Sequence, residues 1–461
     1  LKEHTRILAD FIARVKFEDL SHQVIEKAKE CILDTFGCAL AGSASEEVAA
    51  MIKGIKAYDE GAGSVLWGSN LRSSLFSSCL VNGAMAHCLE MDDVHRKAKV
   101  HPGTAVIPAV LGLGEKLGSG GRAILLGTVL GYEATIRIGV ALGAKGHRMK
   151  GWHATGTCGT FGAAAGCAKL LGLNSEQTAD ALGLAGTQSS GLWAFTADGS
   201  MSKRLHPGRA AQSGVYAGIL AQGGFTGPKR ILEAEDGGFF QAFSDHYDLD
   251  SVSGELGKKF EILEISVKPY PCCRTLHGPL DVILRLKKRE RIQPERIKAI
   301  RVRTYEVALN QCGYTNEPST PVDAQFSMPY ALSAALWDGE IGLAQFKVDR
   351  IHDEKTLCLA KKVELAVDQE LDKLYPAKWS FIIQVEMMDG KLYVERIDTA
   401  KGDPDDPLSR GELERKFLNH AGPVLGVKRG ERLAQLILRL EELKDINLMI
   451  KLCIPELQEK D

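Results

Sequence analysis

The chain has 461 residues, 57 basic against 59 acidic side chains and a formal net charge of −2. That length exceeds what one hydrophobic core usually serves, so two domains are expected, and the balanced charge without long single-sign runs argues against nucleic acid or an anionic membrane as partner. No stretch reaches the roughly 18 uninterrupted apolar residues of a spanning helix, the N-terminal LKEHTRILADFIARVKF is amphipathic and charged, and the 11 cysteines are scattered. A soluble cytoplasmic chain with reduced thiols and no signal peptide is the expectation.

In chain order, residues 21–42 place Val24, Ala28, Cys31, Ile32 and Phe36 at three- and four-residue spacing behind a Ser21 cap, which predicts an amphipathic helix. The same grammar continues to about residue 230 with many small residues, as in 159–173 and 208–225, and predicts a closely packed all-helical body. After about residue 260 the pattern changes. Segments 261–268 and 298–307 alternate apolar and polar residues and predict strands, and 381–398 predicts a β-hairpin closed by a type I′ turn at Asp389-Gly390. Helices are predicted over 277–291, 324–337 and 354–367, which makes this part a small α+β domain. Beyond the turn-rich 401–409, segments 411–422 and 431–443 are helical again and are expected to pack back on the first body, being too short to stand alone.

Four polar stretches interrupt the apolar background. Residues 87–103 hold His87, Glu90, Asp92, Asp93, His95, Lys97, Lys99 and His101, a mixture able to tune a general acid or base. An exposed charged loop and a metal site are the rival readings, although the spacing matches neither HExxH nor a tight zinc pattern and the lysines would repel a cation. In 150–159, His153 precedes a Gly/Thr-rich helix start that could dock a carboxylate or be an ordinary cap with a surface histidine. In 198–211, Lys203, Arg204, His206 and Arg209 gather ahead of a small-residue helix, where the macrodipole disfavours cations unless an anion compensates them. A bound polycarboxylate or a neighbouring acidic loop would do so. In 267–278, Lys268, Arg274 and His277 surround the vicinal Cys272-Cys273, which reads as two packed thiols. Tyr330 lies on the helix predicted over 324–337, a place where tyrosine is usually core or interface. With no GxGxxG after a strand, no GxxxxGK[ST] and no GxSxG, nicotinamide, nucleotide triphosphate and α/β-hydrolase chemistry lose support.

The ordered strings NGAMAHCLEMDD with HPG, GYEATIRIG, GWHATGTCGTFGAAAGCAKLLGL, SMSKRLHPGRAAQSG and KGDPDDPLS resemble the MmgE/PrpD family along nearly the whole chain. That family includes 2-methylcitrate dehydratase, cis-aconitate decarboxylase and iminodisuccinate epimerase. The resemblance implies a mainly α fold: a large all-helical domain, 1–266 with 401–461, and a smaller α+β lid domain with an antiparallel sheet, 267–400. It also implies a homodimer, a small polycarboxylate substrate, and neither metal nor organic cofactor. The residues it carries over as catalytic are Asp92, Asp93, His101, His153, Lys203, Lys268 and Tyr330. Glu90, Lys99, Arg204, His206, Arg274 and His277 are the accompanying candidates for substrate binding.

The expected chemistry passes through an enolate-like anion facing fixed cations, with Lys203, Arg204 and Lys268 as clamps and His101 moving the proton. Tyr330 or His153 would protonate a leaving hydroxyl. A 2-methylcitrate dehydratase-like hydro-lyase is the leading expectation; a cis-aconitate-type decarboxylase, an epimerase or a non-catalytic scaffold are the alternatives. The lysine-rich HRKAKVHP loop and Met91, where the family usually has an aromatic residue, keep these open.

Overall fold

Ser21 accepts the Val24 amide and starts a helix over His22–Gly42, as its spacing predicts. The computed structural model describes residues 2–59, 61 and 63–456. The chain divides into two units, one of Leu1–Cys88, Asp92–Ile265 and Ser409–Asp461, the other of Leu89–Met91 and Ser266–Leu408. The fold is mainly α, with its small sheets confined to minor parts.

In the first unit the Ala154–Leu170 helix packs against Pro102–Leu117, Gly121–Leu142 and Ser202–Gln222. Its Ala163, Ala164, Ala165 and Cys167 are all buried, so small side chains let the helix axes approach. A close approach joins Leu75–His87 to Ser202–Gln222: a Cβ on Gly83 would lie 2.7 Å from the Gly208 Cα, and one on Gly208 would strike the Leu80 carbonyl. This crossing seats the first turns of Ser202–Gln222 against the helix that ends in His87. The cations of 203–209 therefore do not precede that helix, as the sequence suggests, but lie on its opening turns.

Gly121–Leu142 is long and apolar enough to cross a membrane by composition, and 89% of that window is buried inside the protein. It carries the buried Glu133–Arg137 pair, 2.9 Å apart. Arg137 donates to the carbonyls of Gly254 (2.5 Å) and Lys259 (2.7 Å), and Glu133 accepts the Ile262 amide at 3.1 Å. This corrects the predicted strand over 261–268. Glu261–Glu264 is a 3₁₀ turn and only Ile265–Ser266 is extended, because the Ile262 amide goes to a carboxylate rather than a ladder.

The second unit is built on a four-stranded sheet of β1 (Ile297–Thr304), β2 (Val363–Val367), β3 (Phe381–Met387) and β4 (Leu392–Ile397), in the order β2-β1-β3-β4. β1–β3 and β3–β4 are antiparallel, whereas β1–β2 is parallel with Ile300 opposite Val363, so the sheet is mixed. Phe381, Ile383, Val385 and Met387 alternate into a core shared with the His277–Glu290 and Met328–Asp338 helices. Three local expectations change. The helix predicted over 354–367 stops at Ala360, and its period-two tail, Val363, Leu365 and Val367, becomes β2. The helix predicted over 324–337 is split, since Ser327 caps the Tyr330 amide at 3.2 Å and Pro329 lies in the first turn of the new helix. The hairpin forms, but through the four residues 388–391: Asp389 lacks the positive φ that type I′ requires, and only Gly390 (φ 84°) is left-handed.

The last helices return to the first unit. Arg410–Leu425 lies on His22–Gly42, where Lys416 meets Asp34 at 2.5 Å, and Val427–Leu438 packs beside it.

Candidate active site

The Leu75–His87 helix ends in a buried histidine, and five residues later the chain returns a buried carboxylate to it. Asp92 Oδ2 accepts from His87 Nδ1 at 2.9 Å and from His101 Nδ1 at 2.8 Å. His101 Nδ1 also lies 2.7 Å from the Asp93 carbonyl. A carboxylate and a carbonyl can only accept, so the His101 proton resides on Nδ1 and, in the neutral ring, Nε2 is left as a base. The His101 side chain is 13% exposed while those of His87 and Asp92 are 0%, which makes His101 the open member of the trio. Burial alone would raise the Asp92 carboxyl, but the two imidazoles together hold it well below the usual carboxylate range. The rival reading of an exposed loop fails here: Glu90, Asp92, Asp93 and His95 are buried, Lys99 is half-buried, and Lys97 alone of these charged residues is exposed.

His87 Nδ1, Asp92 Oδ2 and His101 Nδ1 lie within 4.8 Å of one another, close enough to hold a metal ion. A metal would have to displace both protons that these nitrogens give to one oxygen, so the trio reads as a hydrogen-bonded acid–base unit.

Asp93 faces elsewhere. It accepts the Gly103 amide at 3.1 Å and the Tyr132 hydroxyl at 2.6 Å, tying the HPG turn to the Gly121–Leu142 helix. Burial, with Asp34 and Asp92 nearby, pushes its carboxyl up to about 7 despite those hydrogen bonds. The folded state therefore holds a proton that the unfolded chain releases near 3.9, so stability falls as pH rises from about 4 to about 7. Asp93→Asn copies the neutral form. The advantage of the variant over the wild type is expected to grow by about 2–3 kcal/mol between pH 5 and pH 8, read from urea unfolding at both values. An equal difference at both pH values would refute the assignment.

His153 caps Ala154–Leu170 from a buried position rather than the surface. Its ring centre is 5.9 Å from that of His87, its edge meets Trp193 and Phe195, and its Nδ1 lies 3.0 Å from His206 Nδ1. Burial first, then Lys203 and the neighbouring imidazoles, hold His153 well below the usual histidine range, so it is neutral. Lys203 is itself buried, with its ammonium 5.9 Å from the Phe195 ring centre. Asp92, His101, His153, Lys203 and His206 thus gather in one unit, with Arg204 buried on the same helix turn. The sequence reading did not place His87 among the site residues. Its position just before the acidic string was the available signal.

The remaining candidates lie in the second unit. Lys268 donates to the Glu90 carbonyl at 3.0 Å, with the Glu90 carboxylate 3.5 Å away and Glu90 in the left-handed region (φ 55°). Arg274 and His277 are bound into their own unit. Arg274 pairs with Asp403 at 2.7 Å, donates to the Lys401 carbonyl and contacts His277 Nδ1 at 2.8 Å. These bonds staple residues 401–403 to the 274–277 turn. Tyr330 belongs to the apolar core; its hydroxyl donates to the Gln345 carbonyl at 2.5 Å, and burial pushes it up to about 12, a poor setting for the proton donor expected of it.

Residues 6–251 match the MmgE/PrpD N-terminal domain and residues 270–442 the MmgE/PrpD C-terminal domain. The chain belongs to the MmgE/PrpD family. Among MmgE/PrpD relatives, it is 30% identical over 469 residues to a cis-aconitate decarboxylase of Homo sapiens, covering 98% of this chain and 95% of the relative. It is 28% identical over 468 residues to the cis-aconitate decarboxylase of Aspergillus terreus, covering 97% and 95%. A cis-aconitate decarboxylase-like protein of Aspergillus oryzae is 30% identical over 480 residues, covering 98% of each chain. The MmgE/PrpD strings quoted above contain Asp92, His101, His153 and Lys203.

Proposed function

We propose that this MmgE/PrpD protein is a decarboxylase of a cis-aconitate-like tricarboxylate. The observation that carries the reading is its likeness, over almost the full length of each chain, to relatives named cis-aconitate decarboxylase. These relatives favour decarboxylation over the hydro-lyase expectation. The buried cluster suits it chemically: one carbon–carbon bond breaks to release carbon dioxide, its electron pair enters an enolate-like anion conjugated with a remaining carboxylate, and one proton returns to carbon. No oxidant is required. Lys203 supplies a fixed positive charge in a dry setting, where it counts for more than in water. His101, oriented by Asp92, and His153 are the groups that position the substrate and move the proton. Lys268 is the further clamp that the family resemblance assigns.

The test is incubation with cis-aconitate, 2-methylcitrate and iminodisuccinate in deuterated water, followed by proton NMR and carbon dioxide capture. Carbon dioxide release from cis-aconitate, with one solvent deuteron entering the product, is the expected result. Loss of water from 2-methylcitrate without carbon dioxide would make the protein a hydro-lyase instead, and deuterium exchange into a dicarboxylate without net loss would make it an epimerase.

A further inference from the structure

Decarboxylation consumes a proton, and His153 is buried beside His87 and Asp92. Two less buried histidines flank this group, His101 and, in contact with His153, the half-buried His206. His206 and His153 meet Nδ1 to Nδ1 at 3.0 Å. Two imidazole nitrogens at that distance hold one proton between them, since two N–H groups would collide and two lone pairs would repel. The contact is built rather than incidental. Gly191 accepts the His153 amide at 2.9 Å and adopts φ +125°, where a side chain would be strained, and a Cβ there would press on the His206 ring at 3.1 Å from Cγ. From the other side, a Cβ on Gly156 would lie 3.1 Å from the His206 Cβ. Backbone on both sides therefore fixes where the His206 ring lies.

Resting on the decarboxylase reading, we propose that His206 and His153 form a proton relay that replaces, within the bond-breaking step, the proton His153 gives to carbon. In the resting pair the half-exposed ring keeps a bare Nε2 toward water, and its Nδ1–H donates to His153 Nδ1. His153 then presents Nε2–H, the form that can donate to a substrate carboxylate. As carbon dioxide leaves, the His153 Nε2 proton passes to carbon, the bridging proton passes from His206 Nδ1 to His153 Nδ1, and a solvent water protonates His206 Nε2, leaving hydroxide in bulk solvent. Neither ring gains net charge. After product release the shift runs backward: water entering the emptied pocket protonates His153 Nε2, the bridging proton returns to His206 Nδ1, and His206 Nε2 gives its proton back to the hydroxide outside. The groups around His153 fit this neutral transfer: Lys203 and His206 from one helix, His87 and His101 from its other sides, and the edges of Trp193 and Phe195. Burial and then Lys203 push His206 down to about 4, so a charged carrier is disfavoured and a concerted shift is the available route.

His206→Asn keeps a side-chain N–H close to the Nδ1 position, holding His153 in place, but cannot pass a proton through. It is expected to lower kcat by about 10- to 100-fold with KM changed less than about threefold. His206→Ala should be equally slow and regain rate on adding free imidazole, a response that lost packing would not give. In the wild-type protein without substrate, nitrogen NMR should find Nδ1–H on His206 and Nε2–H on His153. A His206→Asn variant with kcat within about twofold of wild type, or a His153 protonated on Nδ1, would overturn the relay. If the wild-type protein releases no carbon dioxide from cis-aconitate, the decarboxylase reading fails instead, and the NMR result stands apart from that outcome.

Discussion

Asp92→Asn is expected to lower kcat by about 1,000-fold or more while leaving the fold intact. The carboxylate is the shared acceptor for two imidazoles, His87 and His101, and its charge survives full burial only because both donate to it. An amide of the same shape can still accept from both rings through one oxygen, but it puts an NH₂ at the buried Oδ1 position, where no acceptor waits, and removes the negative charge that favours Nδ1–H on His101. Losing the group that orients a catalytic histidine costs about 10⁴ in kcat in the serine protease triad, where the tautomer is likewise set by a buried carboxylate. His101→Ala should fall by a similar factor, and the double variant should be little worse than either single one, because the residues act as a unit. Turnover of Asp92→Asn within about threefold of wild type would show that the trio has no part in the chemistry.

The largest expected effect on stability comes from Lys416→Met. Lys416 reaches Asp34 at 2.5 Å, and their side chains are 8% and 0% exposed. Removing one partner leaves a buried carboxylate uncompensated, which costs about 3–5 kcal/mol, whereas replacing both by apolar residues is far less harmful. Lys416→Met should therefore unfold at much lower urea, and Asp34→Leu combined with Lys416→Met should recover most of the loss. The sign with pH follows from Asp34. Burial already raises its carboxyl above the ordinary value against the pull of Lys416, and without the ammonium it rises further. Folding then favours the protonated form, so the defect should be smaller at pH 5 than at pH 8. A loss below about 1 kcal/mol at pH 8 would mean that water or a neighbour compensates Asp34.

Much of the fold was legible because it is local. The Ser21-capped helix and the alternation of β3 needed only neighbouring residues. Two of the failures share one physical cause, a distant group claiming a backbone donor or a face. The 261–264 segment alternates like a strand, yet the Ile262 amide belongs to Glu133, which lies 129 residues earlier in the chain. Residues 363–367 continue a helical run by composition, yet the open edge of β1 offers them a parallel ladder.

The site shows the same division. The sequence by itself determined family membership, the helical body, and the four polar stretches that hold Asp92, His101, His153 and Lys203. It could not distinguish Asp92 from its neighbour Asp93. Only the tertiary structure decided that Asp92 is an anion between two histidines, whereas Asp93, tied to Tyr132 and Gly103, is pushed up to about 7. It likewise turned two histidines 53 positions apart, each unremarkable in its own segment, into a single hydrogen-bonded pair. The reason is that ionisation depends on burial and on charges a few ångströms away, and those neighbours arrive from other helices only when the chain has packed.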